Sequence, residues 1–220
     1  MSIITIYGRP KVGKSTFALK DAPKNKTFVL SSDQGLIGLD TDGVTVEEDI
    51  SVKNLRKVAQ SPAVRRSSRI VIDTVTSLYS ELLRDLNGTA TSTLQSRGVA
   101  NNEFALLLRE LRGTGADVVV LGQEKIIIPS EDWTSDDDDE DAVASVTVDL
   151  PQGSHNTLLQ MSDVIGRLYV VNIDERLLRR LWLTSTPNIN AGARSKVYSG
   201  KPPYLKTPSV GRLKGLLGWN

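Results

Sequence analysis

Apolar positions come in short blocks along this chain, and most blocks end at a glycine or a small polar residue. Ile3-Ile4-Thr5-Ile6-Tyr7 is β-branched and apolar, and after a glycine-containing turn Thr16-Phe17-Ala18-Leu19-Lys20 reads as helix, so the opening predicts strand, loop, helix. Thr27 to Leu30 predicts a second strand that closes at Ser31-Ser32-Asp33-Gln34-Gly35, and Val44 to Val46 a short third one. Ser51 suits the N-cap of a helix running through Leu55 and Val58. A basic connector with Arg65, Arg66 and Arg69 leads into Ile70-Val71-Ile72-Asp73, which is apolar on both faces as a central parallel strand must be. Thr76 to Leu86 is expected to be helical.

Asn87 to Asn101 is Gly-, Thr-, Ser- and Asn-rich and reads as a flexible loop carrying Arg97, followed by an amphipathic helix over Asn102 to Arg112. Val118 to Leu121 predicts a buried strand ending at Gly122-Gln123. Ile126 to Ile128 and Ser145 to Leu150 look like the arms of a β-hairpin, an insertion at about 129–145. Val164 to Val171 and Leu178 to Leu183 form an expected antiparallel pair turning at Asn172 to Glu175, and Val210 to Leu217 a closing helix within a C-terminal tail of about 186–220. Strands alternating with helices at this spacing predict an α/β fold with a mainly parallel central sheet flanked by helices and antiparallel C-terminal strands. At 220 residues the chain is long enough for one such domain with a full core.

Composition changes this picture in two ways. With no cysteine and one histidine, thiolate chemistry, disulfides and Cys- or His-rich metal centres are excluded, and a reducing cytoplasm is the expected setting. The net charge of +1 is a difference: Glu131 to Asp141 holds eight acids and no base, which leaves +9 on the rest. A basic body suits a polyanion, and the acidic run is either a solvated loop or a dock for a basic partner. No apolar run approaches membrane-spanning length, and no targeting signal precedes Gly8.

The most specific signal is Gly8-Arg9-Pro10-Lys11-Val12-Gly13-Lys14-Ser15, which satisfies G-x-x-x-x-G-K-[ST] between a predicted strand and a predicted helix. In such a phosphate loop, backbone N–H groups from Gly8 through Thr16 cradle phosphates, Lys14 reaches the outer phosphates and the Ser15 hydroxyl ligates Mg²⁺. ATP and Mg²⁺ are the expected ligands. Asp73, ending a core strand, has the form of the second metal-site carboxylate, with a helix cap as the alternative. Asp33 is read either as a residue that orients water or as an Asx turn over Asp33-Gln34-Gly35. Gln123 is a candidate γ-phosphate sensor. His155 has no partners spaced for a triad and reads as a loop or cap residue. Trp133, among the acids, is read as local packing with base stacking as the alternative. No N-K-x-D guanine-reading motif follows the phosphate loop. Arg176, Arg179 and Arg180 read as the basic face of a strand, with a kinase-like lid as the rival.

The order of these parts resembles the RecA-like ATPase core, and more closely the short phage-encoded RecA-like nucleotide-binding proteins, some of which are single-strand annealing recombinases. The supporting stretches are Ile70 to Thr74, Leu158 to Leu168, and Pro187-Asn188 through Ala193-Arg194-Ser195-Lys196. The resemblance implies a weak DNA-dependent ATPase in phage recombination or replication, working as a homo-oligomeric ring or short filament on single-stranded DNA. It also implies that Arg97 and the segment after Gln123 face the DNA, and that Arg194 and Lys196 complete a neighbouring subunit's site. Two rivals stay open: a phosphotransferase acting on a nucleotide or small metabolite, and a nucleotide-switched adaptor.

Overall fold

A computed structural model describes residues 1–33, 35–128 and 144–219. The acidic run, Trp133 and Gln34 therefore lie outside the described residues. In chain order the elements are β1 (Ile3–Gly8), α1 (Lys14–Leu19), β2 (Thr27–Ser31), β3 (Val44–Glu47), α2 (Val52–Val58), α3 (Pro62–Arg66), β4 (Arg69–Asp73), α4 (Val75–Asn87), α5 (Leu94–Gly113), β5 (Asp117–Ile127), β6 (Ser145–Val148), α6 (Gln152–Met161), β7 (Val164–Ile173), β8 (Arg176–Trp182), β9 (Gly192–Ala193), β10 (Tyr204–Lys206) and α7 (Val210–Leu217).

The sheet order is β10-β8-β7-β1-β5-β4-β2-β3, with β6 on β5 and β9 on β7. β7, β1, β5, β4, β2 and β3 run parallel, and β8 and β10 continue antiparallel. This is the α/β class expected from the sequence. β5 lies between β1, which feeds the phosphate loop, and β4, which ends in Asp73. β1, β2 and β4 are buried at every position, because helices cover both sides of the sheet. Ile3, Tyr7, Ile70, Ile72, Val118 and Val120 face one apolar core with α4, α5 and α6. Ile4, Ile6, Val71, Val119 and Leu121 face the other with α1 and α7.

Several expectations are corrected. The loop read over Asn87 to Asn101 shrinks to Gly88 to Thr93, because Thr93 opens α5 with a capping box to Ser96. The polar turn Gln95 to Asn101 hides this helix, since only Ala100 of its residues is buried. The connector read over Arg65 to Arg69 begins inside α3, which Ser61 starts at the N-cap with Pro62 at N1. Arg69 is buried, donating to the Ala18 carbonyl and the Asp21 carboxylate at 2.9 and 2.7 Å. β5 does not stop at Gln123 but continues unbroken to Ile127, and its pairing with β6, antiparallel as the two expected arms require, starts at Glu124 opposite Val148 and ends at Ile127 opposite Ser145. His155 sits in the first turn of α6, buried rather than in a loop, with Nε2 2.8 Å from the Thr147 hydroxyl. Burial holds its pKa below the usual imidazole value, so it is neutral at pH 7.

Candidate functional site

Register brings the candidate residues to one place. Gly8 pairs with Gln123 across β1 and β5, Asp73 with Leu121 across β4 and β5, and Ser31 with Asp73 across β2 and β4. All stand at the carboxyl edge of the parallel strands, the edge where α/β sheets bind ligands. The phosphate loop turns through left-handed backbone at Lys11 (φ 61°) and Gly13 (φ 96°) before α1 begins. A Cβ at Gly13 would also come within 2.6 Å of the Arg179 Nε, so glycine is required there twice over.

Lys14 is buried, its ammonium donating to the carbonyls of Gly8 and Arg9 at 2.9 and 3.0 Å and to Gln123 Oε1 at 3.2 Å. Burial lowers its pKa, against the opposing pull of Asp73, Asp33 and Glu124. Desolvation makes the ammonium receptive to an arriving anion, while the neighbouring carboxylates of Asp73, Asp33 and Glu124 oppose one. Gln123, proposed from sequence as a phosphate sensor, touches this lysine directly; its backbone N–H donates to Thr76 Oγ1 at 3.1 Å.

Asp73 is 2% exposed, and its Oδ2 has no hydrogen-bond partner. Burial pushes its carboxyl pKa up, the Asp33 charge adds to this, and the Ser15 hydroxyl and Lys14 oppose it. Asp33 sits exposed at the lip, where the Asx turn read from the sequence is present. Its Oδ1 accepts from the Gly35 N–H at 2.8 Å, an Asx turn, while Oδ2 lies 3.5 Å from the Thr74 hydroxyl beside Asp73. Gly35 closes the cluster: a Cβ there would lie 2.7 Å from Asp33 Oδ1, 3.2 Å from Asp73 Oδ2 and 3.5 Å from Ser15 Oγ.

Two hard oxygen donors, an unpartnered buried carboxylate oxygen and a hydroxyl, beside a space that the absence of a side chain at Gly35 keeps free, fit Mg²⁺ held mostly by water and phosphate. Ser15 and Asp73 would hold it. Among the described residues no group of three His, Cys, Asp or Glu could bind a metal by itself. Gly35→Ala is expected to weaken ATP binding in Mg²⁺ about tenfold while changing binding in EDTA little. Paired fluorescent-nucleotide titrations check this, and equal effects in both buffers would remove the cation from this corner.

Two further residues belong to the site: Glu124, which the sequence reading passed over, and Arg179, which it took for the basic face of a strand with a kinase-like lid as the rival. Glu124, its side chain 8% exposed, accepts from Arg9 Nε and Arg167 Nε at 3.0 Å each, tying the loop to β7. Its only signal was adjacency to Gln123. Arg179 donates from Nε to the Val12 carbonyl at 3.1 Å, placing a guanidinium over the phosphate loop within the same chain. Beside it opens a cavity of about 900 Å³, lined by Val12, Phe17, Leu168 and Val170 with Lys20 and Arg179 at its rim.

The remaining candidates lie elsewhere. Arg194 pairs with Asp163 and donates to the Gln160 carbonyl, at the end of the sheet where β7 starts, and Lys196 is exposed nearby. Neither approaches the phosphate loop of its own chain. Arg97 is exposed in the first turn of α5, bonded to Ser92 Oγ. No helix among the described residues is long and apolar enough to cross a membrane.

The family model described as an AAA domain matches residues 2–195. Among solved structures, the flagellar accessory protein FlaH from Methanocaldococcus jannaschii is similar over 82% of this chain and 76% of its own, with 13% identity and a TM-score of 0.47. No curated protein matches the sequence.

Proposed function

Because the chain belongs to the AAA domain family, whose P-loop members turn over nucleotide, we propose that it is a RecA-like ATPase that binds single-stranded DNA under the control of ATP and Mg²⁺. The observation that carries the nucleotide half is the unpartnered Asp73 Oδ2 facing Ser15 and Gly35, two strands away from a complete phosphate loop. Main-chain N–H groups of residues 8–16 hold the phosphates, and Lys14 turns from its own loop carbonyls to the β- and γ-phosphate oxygens. Ser15 and Asp73 would hold Mg²⁺, which when bound would supply charge neutralisation at the phosphate oxygens. Gln123, once released by the lysine, would be free to sense the γ-phosphate, and Asp33 at the open lip would orient the attacking water. A cation supplied by a second copy, Arg194 or Lys196, would complete the charge balance at the γ-phosphate.

The DNA half is supported by the +9 charge outside the acidic run and by exposed Arg97. Recombination by strand annealing, or replication, in a phage is the setting we infer, with a ring or short filament as the working form and the acidic run as a dock for a basic protein. Fluorescence anisotropy of a labelled single-stranded oligonucleotide, with and without ATP and Mg²⁺ at two salt concentrations, tests the reading. Binding that needs ATP and weakens with salt is the expected result. No binding in any buffer overturns it.

A second reading rests on Arg179. A guanidinium poised over the phosphate loop from the same chain suits phosphoryl transfer to a small acceptor, with no neighbour needed. Phosphorylated acceptor accumulating without DNA would favour that reading.

A further inference from the structure

β8 and β10 extend the sheet beyond the parallel strands, and their two faces differ completely. Leu168, Leu181 and Leu205 lie opposite one another in register and are packed with the core against α1 and α7. On the other face the register aligns Tyr169 with Arg180 and Lys206, and Arg167 with Trp182 and Tyr204. None of these six side chains belongs to either apolar core. Three aromatic rings and three cations therefore share one face of three adjacent strands, with β10 at the sheet edge.

Their interactions leave them available. Arg167 is neutralised by Glu124. Among the described residues no acid pairs with Arg180 or Lys206. The Arg180 guanidinium is held 4.3 Å above the Tyr204 ring, which stacks on Trp182 with centroids 6.4 Å apart and planes 24° from parallel. Cation and rings are thus mutually fixed, so little side-chain freedom is left to lose on binding. Tyr169 and Trp182 remain half-buried and Lys206 exposed. A lone aromatic on a strand needs no ligand, but alternating rings and cations with which no described acid pairs are complementary to a chain that alternates flat bases with phosphates. Strands about 4.8 Å apart make this face roughly 10 Å wide, enough for two or three stacked bases.

We propose that this face of β7, β8 and β10 is a contact surface for single-stranded DNA, with Tyr169 and Trp182 stacking on bases and Arg180 and Lys206 meeting phosphates. The proposal rests on the DNA-binding reading above and moves the main contact from Arg97 to the far end of the sheet. Arg179 and Arg180 are consecutive on β8, one on the phosphate loop and one on this face, so the strand itself links nucleotide to DNA.

The test uses the full chain with ATP saturation established separately for each variant. Wild type should bind a labelled oligo-dT more tightly than an abasic backbone of equal length. Trp182→Thr, a substitution that suits a strand, should weaken oligo-dT binding about tenfold or more and erase that preference, while Trp182→Phe should keep it. Lys206→Gln should lower the salt slope by about 0.7. Unchanged preference and slope in variants that still bind ATP, with wild type binding DNA, overturns this face and leaves the general reading standing. Loss of self-association in Trp182→Thr at unchanged DNA affinity also overturns it, in favour of a contact between copies. Failure of wild type to bind either oligonucleotide removes the proposal together with the reading it rests on.

Discussion

Replacing Lys14 by alanine is expected to lower ATP affinity about a hundredfold, the loss of one or two charge-assisted hydrogen bonds to phosphate, and to bring hydrolysis to background. Fluorescent-nucleotide titration and phosphate release measure the two effects. The fold should survive. In the unliganded chain the ammonium only satisfies two loop carbonyls and Gln123, groups that water can reach once the side chain is gone. Removing it also removes a desolvated charge whose pKa burial depresses. ATP binding that persists in Lys14→Ala at wild-type strength would sink the site assignment.

Asp73→Asn should separate function from stability. Turnover is expected to fall by a factor of about a hundred or more, because the amide supplies no negative charge to the Mg²⁺ shell. Stability should move the other way. Burial raises the folded pKa of Asp73 above its ordinary value of 3.8. The unfolded chain then gives up this proton more readily, so stability falls as pH rises from about 3.8 through the raised folded pKa, and the full penalty is present above it. The asparagine carries no such penalty. Its melting temperature at neutral pH should exceed that of wild type by about 2–4 °C for each kcal/mol recovered, and the gap should close at acid pH. A variant equally unstable at both pH values would mean that the carboxylate is not strained by burial. A site that spends stability to hold an unpartnered charge is common where a ligand later supplies the partner.

Much of this was legible along the chain. The strands β1, β2, β4 and β5 are written as uninterrupted β-branched blocks because both their faces are buried, and the phosphate loop is written in glycines and one lysine because backbone must reach phosphate. Asp73 and Gln123 could be placed at one edge, since parallel strands that start level end level. What stayed hidden depends on packing between distant segments. α5 begins a full two turns before its apolar stripe becomes visible, in Gln95-Ser96-Arg97-Gly98, whose only helical signal is the Thr93 and Ser96 capping pair. α6 reads as polar loop in Gln152-Gly153-Ser154-His155, yet Ser154 and His155 are buried there by bonds to Asn101 and Thr147. Arg179 sits in a row of arginines and leucines that looks like any solvent-facing strand; only the β7–β8 register aims it at Val12. Glu124 was passed over because a charge inside a strand says nothing of its two arginine partners until the sheet order is known.

The position of β1 bears on how the molecule is made. This strand is synthesised before the two strands it pairs with, and it lies in the interior of the sheet, with β5 on one side and β7 on the other. Its neighbours at Val118 to Gln123 and Val164 to Arg167 are synthesised more than a hundred residues later. The phosphate loop therefore spends most of translation attached to a strand with two vacant edges, the kind of apolar β-segment that chaperones bind and aggregates recruit. Closure of the sheet around β1 is a late, long-range event in biogenesis, and any chain that ends before residue 164 leaves one edge of β1 unpaired.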